Sequence, residues 1–318
     1  MNFEEPKVSP AAKFRALLNS GEFIVSPGVY DGYSARLVEA AGFKSACTSG
    51  AAIANAVLGV EDIGMMGLSE NVNHCRHLAR AISIPLTCDA DNGYGNPLNV
   101  HYTIQMFEEA GAAGVNIEDQ VSPKRCGHMP GKEVVSRDEM VKKIEAACLA
   151  RRDDSFVIIA RTDALACEGI EATVERVRAY TAAGADAIFP DAVKSEEHVA
   201  RMVEAAAGRP VSINMGFGIR TRPTTPLIPL PRLKALGVRR ISLPRMLPAA
   251  AIKAMRDALT VMRTVMETGV PADRPDLLVG IEEIWNLMGF PALQELEKQL
   301  LTVDSYASKY KAVETAAR

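Results

Sequence analysis

Residues 107–120 read FEEAGAAGVNIEDQ, and this short segment contains the pattern that decides the fold. The end of an amphipathic helix is followed by glycine and small residues, and then by a short apolar run that ends in polar residues. Glycine after a helix suits the left-handed C-terminal cap, and the apolar run is typical of a buried parallel strand. The pattern recurs at 38–50 (VEAAGFKSACTSG), 181–192 (TAAGADAIFPDA) and 234–244 (KALGVRRISLP). The sequence therefore predicts a repeating β/α architecture.

Completing the pattern along the chain gives eight strands that alternate with helices. The strands are predicted at residues 22–27, 43–48, 85–90, 114–118, 156–161, 187–190, 210–214 and 239–243. The helices are predicted at residues 31–41, 69–82, 97–110, 136–151, 171–183, 195–207, 230–236 and 248–267. Eight alternations favour a (β/α)8 TIM barrel over an open doubly wound sheet. The absence of a GxGxxG motif after the first strand also argues against a dinucleotide-binding fold.

The C-terminal part of the chain contains more helix than a barrel needs. After a proline-rich break, helices are predicted at 279–288 and 290–302. We expect residues 1–318 to form one barrel domain with a helical extension over 270–318. Surplus helices commonly pack on a barrel or on a neighbouring subunit, so a homo-oligomer is expected. The long proline- and glycine-rich loop at 216–233 is expected to be functional or mobile.

Composition and charge restrict the classes of partner. The 318 residues have a formal net charge of −3 and a pI near 6.0, which gives no basic field for nucleic acid or membrane binding. The N-terminal segment lacks the features of a secretory signal, and no apolar run approaches the ~20 residues that span a bilayer. The six cysteines include no CxxC pair, which is typical of reduced thiols and predicts a cytoplasmic enzyme.

Polar residues stand at the end of nearly every predicted strand, where barrel enzymes place their catalytic residues. In LTCDADNGYG (86–95), Asp89 and Asp91 are two residues apart, so on a strand both carboxylates face one point, where Glu118 could join them. Carboxylates without nearby cations repel one another unless a hard divalent ion binds them, which predicts Mg²⁺ or Mn²⁺. The alternative is an Asp- and Gly-rich turn that caps a helix.

The segment PKRCGHMPGK (123–132) places Cys126 among basic residues and glycines, unlike the other cysteines, which are expected to be inert. Neighbouring positive charge favours the thiolate form of a cysteine. The segment leaves directly from the strand that carries Glu118, and its glycines are possible hinges, so it could close over the site. The alternative is a surface turn in which Lys124 and Arg125 are merely solvated.

Five motifs together resemble the isocitrate lyase and phosphoenolpyruvate mutase superfamily. They are, in chain order, CDADNGYG, NIEDQ, KRCGH, ARTDA and FPDA. The resemblance runs from about residue 11 to about residue 300, and within the superfamily it is strongest to 2-methylisocitrate lyases and 2,3-dimethylmalate lyases. It implies a Mg²⁺-dependent carbon–carbon lyase that cleaves a 2-hydroxy di- or tricarboxylate to pyruvate and a second carboxylic acid. It also implies a helix exchanged between the subunits of a dimer, with two dimers forming a tetramer.

The resemblance assigns roles to residues of this chain. In the metal site, Asp89 is implied as the direct ligand, Asp91 and Glu118 as holders of the waters of the metal, and Asp62 as a residue that orders those waters. The residues implied in substrate binding are Ser49, Gly50, Ala51, Lys124, Arg125, Gly127, His128, Arg161, Asp191 and Asn214. Among them, His128 and Arg161 are counted with Cys126 as catalytic. Cys126 is implied as the general acid that protonates the departing enediolate.

Some positions depart from the methylisocitrate lyase pattern. Cys47, Ala51, Asn116 and Asp191 stand where that pattern has tyrosine, glycine, histidine and glutamate, so the identity of the acid that is cleaved stays open. Hydrolysis or decarboxylation of oxaloacetate is an alternative reaction. A phosphorus–carbon mutase is another, but Cys126 argues against it because the mutases lack this thiol. A barrel without activity is disfavoured by the intact motifs.

Overall fold

The computed structural model describes residues 8–217 and 225–316, with side chains up to residue 310. Residues 218–224 of the predicted functional loop therefore lie outside the described part. Within the described residues, eight parallel strands pair in chain order and close into a barrel, which confirms the predicted fold class. The strands are β1 (Ile24–Val29), β2 (Ala46–Thr48), β3 (Leu86–Asp89), β4 (Gly114–Glu118), β5 (Val157–Thr162), β6 (Ala187–Pro190), β7 (Val211–Asn214) and β8 (Val238–Leu243).

Helices follow the strands and pack around the barrel, and a π-helical turn spans Ala54–Leu58. The helices of the barrel are α1 (Pro10–Asn19), α2 (Gly32–Ala40), α3 (Gly50–Ile53), α4 (Leu68–Ala81), α5 (Pro97–Glu109), α6 (Arg137–Ala150), α7 (Ala164–Cys167), α8 (Ile170–Ala182), α9 (Glu196–Ala205) and α10 (Leu230–Ala235). They are followed by α11 (Met246–Thr268), α12 (Ile281–Leu287), α13 (Phe290–Leu300) and α14 (Val303–Ala316). Every predicted strand and helix overlaps an observed one, whereas α1, α3, α7 and α14 were not predicted.

The first strand differs most from its prediction, because it continues through Pro27 and Gly28 to Val29. The predicted strand ends at Pro27. In the structure a side chain at Gly28 would place its Cβ 2.5 Å from the Cα of Pro244. Glycine is therefore required by the close approach of two backbones rather than by a turn.

Helix α1 packs against the amino-terminal ends of the strands. Ser9 caps it by accepting a hydrogen bond from the backbone of Ala12. Its Phe14 and Leu18 are buried in a cluster that includes Ile24 at the start of β1. This end of the barrel is thus closed by apolar packing, and the carboxyl ends of the strands are left to form a site.

The chain divides into two compact units, Met1–Ile252 and Lys253–Arg318. The first contains the barrel. In the second, no described residue of α12 or α13 is buried. The expectation of one domain with an extension from residue 270 stays a prediction. No helix in the described part of the chain combines the length and apolar character needed to cross a membrane.

Candidate active site

A cavity lies at the carboxyl ends of the strands, as expected for a barrel enzyme. The predicted site residues that line it are Ser49, Gly50, Ala51, Asp62, Asp89, Cys126, Gly127, His128, Arg161, Asp191 and Asn214. Lining residues outside the predicted site are Cys47, Thr48, Asn116, Phe189, Ser242, Pro244 and Arg245. Segments distant in sequence, including the loop around Cys126, thus meet at one place.

Other predicted site residues lie away from this cavity. Asp91, Glu118 and Lys124 are buried but do not line it, and Arg125 is exposed. The structure thus does not bring Arg125 together with the other predicted substrate-binding residues. The roles assigned to these four residues stay predictions.

The serine and glycine after β2 fix the wall next to Asp89. Ser49 caps α3 by accepting a hydrogen bond from Ala52. A Cβ on Gly50 would lie 2.6 Å from Oδ2 of Asp89, so only glycine lets the backbone approach this carboxylate. The first turn of a helix leaves backbone N–H groups without intrahelical partners, which suits it to bind an anion.

Asp91 does not continue the strand that ends at Asp89. Its backbone is left-handed, with φ of 47°, and its N–H donates to Oδ1 of Asp89 at 3.1 Å. The Nζ of Lys124 lies 2.9 Å from Oδ1 of Asp91 and 2.5 Å from Oδ1 of Asp62. The expectation that these carboxylates have no nearby cation is therefore wrong. Lys124 supplies one, from a loop whose path the sequence did not fix.

Burial and neighbouring charges shift the pKa values of Asp91 and Lys124. Burial raises the pKa of Asp91 to about 6, although Lys124 opposes the shift. Burial by itself lowers the pKa of Lys124, but Asp91 and Glu118 raise it well above its usual value. Lys124 is thus held in its charged form between the carboxylates.

Glu118 provides the test of whether the site suits a metal. It is buried, neither of its carboxylate oxygens accepts a hydrogen bond, and Oδ1 of Asn116 nearby on β4 has no partner either. The Nη1 of Arg161 lies 3.1 Å from Oε2 of Glu118, in a geometry that makes an ion pair but no hydrogen bond. Burial raises the pKa of Glu118 well above its usual value, against the effect of Arg161. Unsatisfied buried oxygens beside Asp89 suit a hard cation such as Mg²⁺.

The direct ligands of such an ion would be few. Among the described residues, no three His, Cys, Asp or Glu side chains lie close enough to hold one ion together. This agrees with the habit of Mg²⁺ to bind one or two carboxylates and to keep waters or substrate oxygens as its other ligands. Asp89, which lines the cavity together with Asp62 and Asp191, is the carboxylate that would hold such an ion.

Arg161 lies between the carboxylates at the end of β5. Its guanidinium donates to Asp163 from Nε at 2.8 Å and from Nη2 at 3.1 Å, and Nη2 lies 3.4 Å from Oδ2 of Asp191. Burial opposes the charge of Arg161, but Asp163 and Glu118 raise its pKa well above the usual value. Asp163 was not among the predicted site residues, although it belongs to the ARTDA motif.

We call residues 119–135 the lid. At its base, Gln120 pairs with Val134 in an antiparallel bridge, and the N–H of Val135 donates to the carbonyl of Asp119 at 2.8 Å. At its tip, the N–H of Cys126 donates to the carbonyl of Asp62 at 2.9 Å. The described structure thus shows the lid closed against the barrel.

The tip of the lid packs tightly into the cavity. A Cβ on Gly127 would clash with Oδ2 of Asp191, so the tip could not reach this position with a larger residue. Cys126 is 6% exposed, and its Sγ accepts a hydrogen bond from Nη2 of Arg245 at 2.8 Å. Arg245 lies two residues after the end of β8, so its place near a strand end was available from the sequence. Its contact with the thiol was not.

His128 follows on the lid and also lines the cavity. Burial lowers its pKa, and the cations Arg245, Arg161 and Lys132 act in the same direction. Asp191 opposes them. A neutral imidazole next to the cavity is thereby favoured over an imidazolium.

A covered cavity at one end of a barrel, lined by a thiol, an arginine and carboxylates, is typical of the active site of a barrel enzyme. The family described as phosphoenolpyruvate phosphomutase matches residues 14–263. The chain therefore belongs to the phosphoenolpyruvate mutase family, and the predicted superfamily is confirmed.

Two curated relatives are similar over most of their length. The 2-methylisocitrate lyase of Aeropyrum pernix is 40% identical over 292 residues, which cover 91% of this chain and 90% of the relative. The 2,3-dimethylmalate lyase of Eubacterium barkeri is 37% identical over 295 residues, covering 93% of this chain and 99% of the relative. These relatives confirm the prediction of an enzyme similar to methylisocitrate lyases.

Two solved structures are similar to this chain over most of their length. Oxaloacetate acetylhydrolase in complex with the inhibitor 3,3-difluorooxalacetate has a TM-score of 0.84 and 34% identity, covering 93% of this chain and 98% of the other. Phosphonopyruvate hydrolase in complex with oxalate and Mg²⁺ has a TM-score of 0.80 and 30% identity, covering 92% and 100%.

Proposed function

We propose that the protein is a Mg²⁺-dependent lyase that cleaves a carbon–carbon bond of a 2-hydroxy di- or tricarboxylate and releases pyruvate. The observation that carries the proposal is the position of Cys126, which the lid brings into the same cavity as Asp89 and Arg161. A proton donor, a carboxylate suited to a metal and a cation then face one small substrate. The relation to 2-methylisocitrate and 2,3-dimethylmalate lyases supports the same reaction class.

The residues of the chain divide the work between the two halves of the substrate. The start of α3, from Ser49 to Ala51, binds the carboxylate of the half that becomes pyruvate. Mg²⁺, when bound at Asp89, supplies a Lewis acid for the oxygens of that half. Arg161 bridges the substrate oxygens, and His128 contacts the second carboxylate.

Cys126 then acts as the general acid. Transfer of the hydroxyl proton of the substrate to a base forms the carbonyl of pyruvate, breaks the carbon–carbon bond and leaves the electron pair on the second fragment as an enediolate. The S–H of Cys126 protonates the carbon of this fragment, and Arg245 stabilises the thiolate that remains. The closed lid excludes water, so the proton reaches the enediolate before the fragments recombine.

The test of the function is an assay of pyruvate release with 2-methylisocitrate and 2,3-dimethylmalate, and of glyoxylate release with isocitrate. Oxaloacetate is included with an oxalate readout, because the similarity to oxaloacetate acetylhydrolase favours that acid as a second candidate. Turnover of a hydroxy acid supports the lyase. Turnover of oxaloacetate alone would replace the lyase by the hydrolase.

The role of Cys126 is tested by Cys126→Ser. General acid catalysis is typically worth ~10²–10⁴-fold, so we expect turnover to fall by this factor while the unfolding transition stays unchanged. Cys148→Ser, a half-buried cysteine that does not line the cavity, is the matched control. Wild-type turnover in the Cys126 variant would rule out the thiol as the acid.

The metal requirement is tested by chelation. We expect EDTA to abolish turnover and Mg²⁺ or Mn²⁺ to restore it, because the oxygens of Glu118 accept no hydrogen bond and Asp89 faces the cavity, a set of oxygens that suits Mg²⁺. Full turnover in EDTA, after dialysis that removes bound metal, would contradict the assignment.

We further propose that the protein assembles as a dimer, with two dimers forming a tetramer, through its C-terminal helices. On α11, Met255, Leu259, Met262 and Met266 recur at helical spacing on one face and are between 54% and 74% exposed. An exposed apolar stripe of this length is typical of a protein–protein interface.

Cytoplasmic location and the absence of nucleic acid partners stay predictions, and the free cysteines agree with a reducing compartment.

Light scattering after gel filtration tests the assembly. Leu259→Glu places a charge in the stripe, so we expect a lower oligomeric mass. Thr264→Glu, on the opposite face of α11, should leave the mass unchanged. A wild-type protein that is monomeric at micromolar concentration would contradict the proposal.

A further inference from the structure

Lys132 is a buried lysine of the lid that does not line the cavity. Its side chain is only 2% exposed. The Nζ donates to Oδ1 of Asp163 at 2.8 Å and to the carbonyl of Gly127 at 3.0 Å, and it lies 3.7 Å from Oδ2 of Asp191. One ammonium group thus connects the tip of the lid to the ends of β5 and β6.

The contacts of Lys132 with Asp163 and Asp191 join the lid to the barrel and require a closed lid, whereas the hydrogen bond to Gly127 lies within the lid. Asp163 and Asp191 belong to the barrel, whereas Lys132 and Gly127 belong to the lid. Opening the lid would carry the ammonium away from both carboxylates and into water. Burial lowers the pKa of Lys132, but Asp163 and Asp191 outweigh burial and keep the group charged in the closed state.

The partner of Lys132 is held rigidly in place. Asp163 also accepts both hydrogen bonds from Arg161, and its own N–H donates to Oδ1 of Asp119 at 2.9 Å. Although burial opposes its charge, Arg161 and Lys132 together lower the pKa of Asp163 far below its usual value. The carboxylate is therefore a fixed, charged acceptor, to which the lid can dock without rearranging the barrel.

We propose that Lys132 is a positioning residue that latches the lid closed on Asp163 and so holds Cys126 and Gly127 over the cavity. The proposal rests on the proposed function for its catalytic meaning, but the latch itself does not depend on which acid is the substrate. Lys132 acts through the lid and does not touch the reacting atoms. Arg161 and Lys132 share Asp163, so closure of the lid and the position of the substrate-binding arginine depend on the same carboxylate.

The latch is tested through the reactivity of Cys126, which requires no substrate. Iodoacetamide modifies a thiol only when the lid opens, and mass spectrometry of peptides reports each cysteine separately. The variants are Lys132→Met, which keeps the apolar stem, and Lys132→Arg, which keeps the charge. The control is Lys142→Met on α6, whose lysine is exposed and pairs with Glu145.

We expect Lys132→Met to raise the alkylation rate of Cys126 by roughly ten- to hundred-fold, the factor that corresponds to loss of a charge-assisted hydrogen bond. Lys132→Arg should restore part of the protection, and Lys142→Met should behave as the wild type. Cys75 and Cys88, which are buried and do not line the cavity, should react no faster in any variant.

Two outcomes of the alkylation experiment would overturn the latch. An unchanged rate at Cys126 in Lys132→Met would show that other contacts close the lid. Faster alkylation of the barrel cysteines would show that Lys132 supports the whole fold. Failure of the substrate assay with the expected pattern of alkylation would refute the proposed reaction and leave the latch standing, so the two failures are distinguishable.

Discussion

Two arginines point into the same barrel from opposite ends, and their surroundings differ completely. The guanidinium of Arg161 lies 5.3 Å from the ring centre of Phe189, and that of Arg240 lies 5.5 Å from the ring centre of Phe14. Both are buried, so both have the same problem of placing a permanent charge away from water. The barrel solves it in two ways.

Arg240, on β8, is surrounded by hydroxyl groups. It donates to Oγ of Ser26 at 2.9 Å, to Oγ1 of Thr87 at 2.8 Å and to Oγ of Ser212 at 3.4 Å. Among the residues that the structure describes, no carboxylate forms an ion pair with it. Burial lowers the pKa of Arg240, whereas the carboxylates around Arg161 raise the pKa of that arginine.

The difference separates a structural charge from a functional one. Hydroxyl groups accept the hydrogen bonds of Arg240 and bring no negative charge near it. The guanidinium therefore connects strands and has a structural role rather than a role in ligand binding. Arg161 lies among Glu118, Asp163 and Asp191, whose charges exceed its own. An excess of carboxylate at one end of a barrel is stable only if cations join it, and these are Lys124, Lys132 and, by our proposal, Mg²⁺.

Removing Arg161 should produce the largest effect. Arg161→Met leaves buried carboxylates without their shared cation, so we expect the free energy of unfolding to fall by roughly 3–5 kcal/mol. Loss of its contact with the substrate should reduce turnover by a further ~10²–10³-fold. Urea unfolding and the assay with the best substrate measure the two effects.

The pH dependence of the stability of Arg161→Met tests whether the uncompensated carboxylates cause the loss. Burial already raises the pKa of Glu118, so the folded state binds a proton at a pH where the unfolded state does not. Stability therefore increases as the pH falls through the folded pKa, and the deficit of Arg161→Met should shrink between neutral and acidic pH. Arg161→Lys should restore stability more than turnover. A deficit that is constant with pH would contradict the carboxylate explanation.

Removing Arg240 should have a smaller effect on stability and little on turnover. Arg240→Met loses hydrogen bonds to hydroxyls but also removes a buried charge that has no carboxylate partner, so we expect a change of about 1–2 kcal/mol at most. The same urea unfolding and assay apply. A loss of stability larger than that of Arg161→Met would break the distinction between the two arginines.

The sequence predicted the barrel because its signals are local. Helix, glycine and apolar strand follow one another within about a dozen residues in each repeat, and every predicted strand overlaps an observed one. The predicted bounds of the strands were wrong where a distant part of the backbone determines the conformation. This happens at Gly28, which Pro244 approaches closely. Helix α1 was not predicted because the packing of Phe14 holds it in place, and Phe14 packs against strands that are far away in the chain.

The sequence predicted which residues form the site but not which of them form ion pairs with one another. Strand ends and the KRCGH motif indicated Asp89, Cys126 and Arg161, which the structure places around one cavity. The partners of the lid lysines depend on the path of the lid, so the sequence analysis assigned Lys124 to substrate binding without its carboxylate partners and assigned no role to Lys132. Buried charge is a property of the folded chain, and no local pattern announces it.

The aromatic rings under the two arginines allow the smallest and sharpest test. Phe14→Leu and Phe189→Leu each lose an interaction between a cation and an aromatic face, worth about 0.5–2 kcal/mol, with little change in apolar volume. Phe189 lines the cavity and Phe14 does not, so Phe189→Leu should also raise the KM of the substrate, whereas Phe14→Leu should change only the unfolding transition. If both variants raised KM equally, the charge of Arg240 would act on the substrate through the barrel, and the separation into a structural and a functional end would fail.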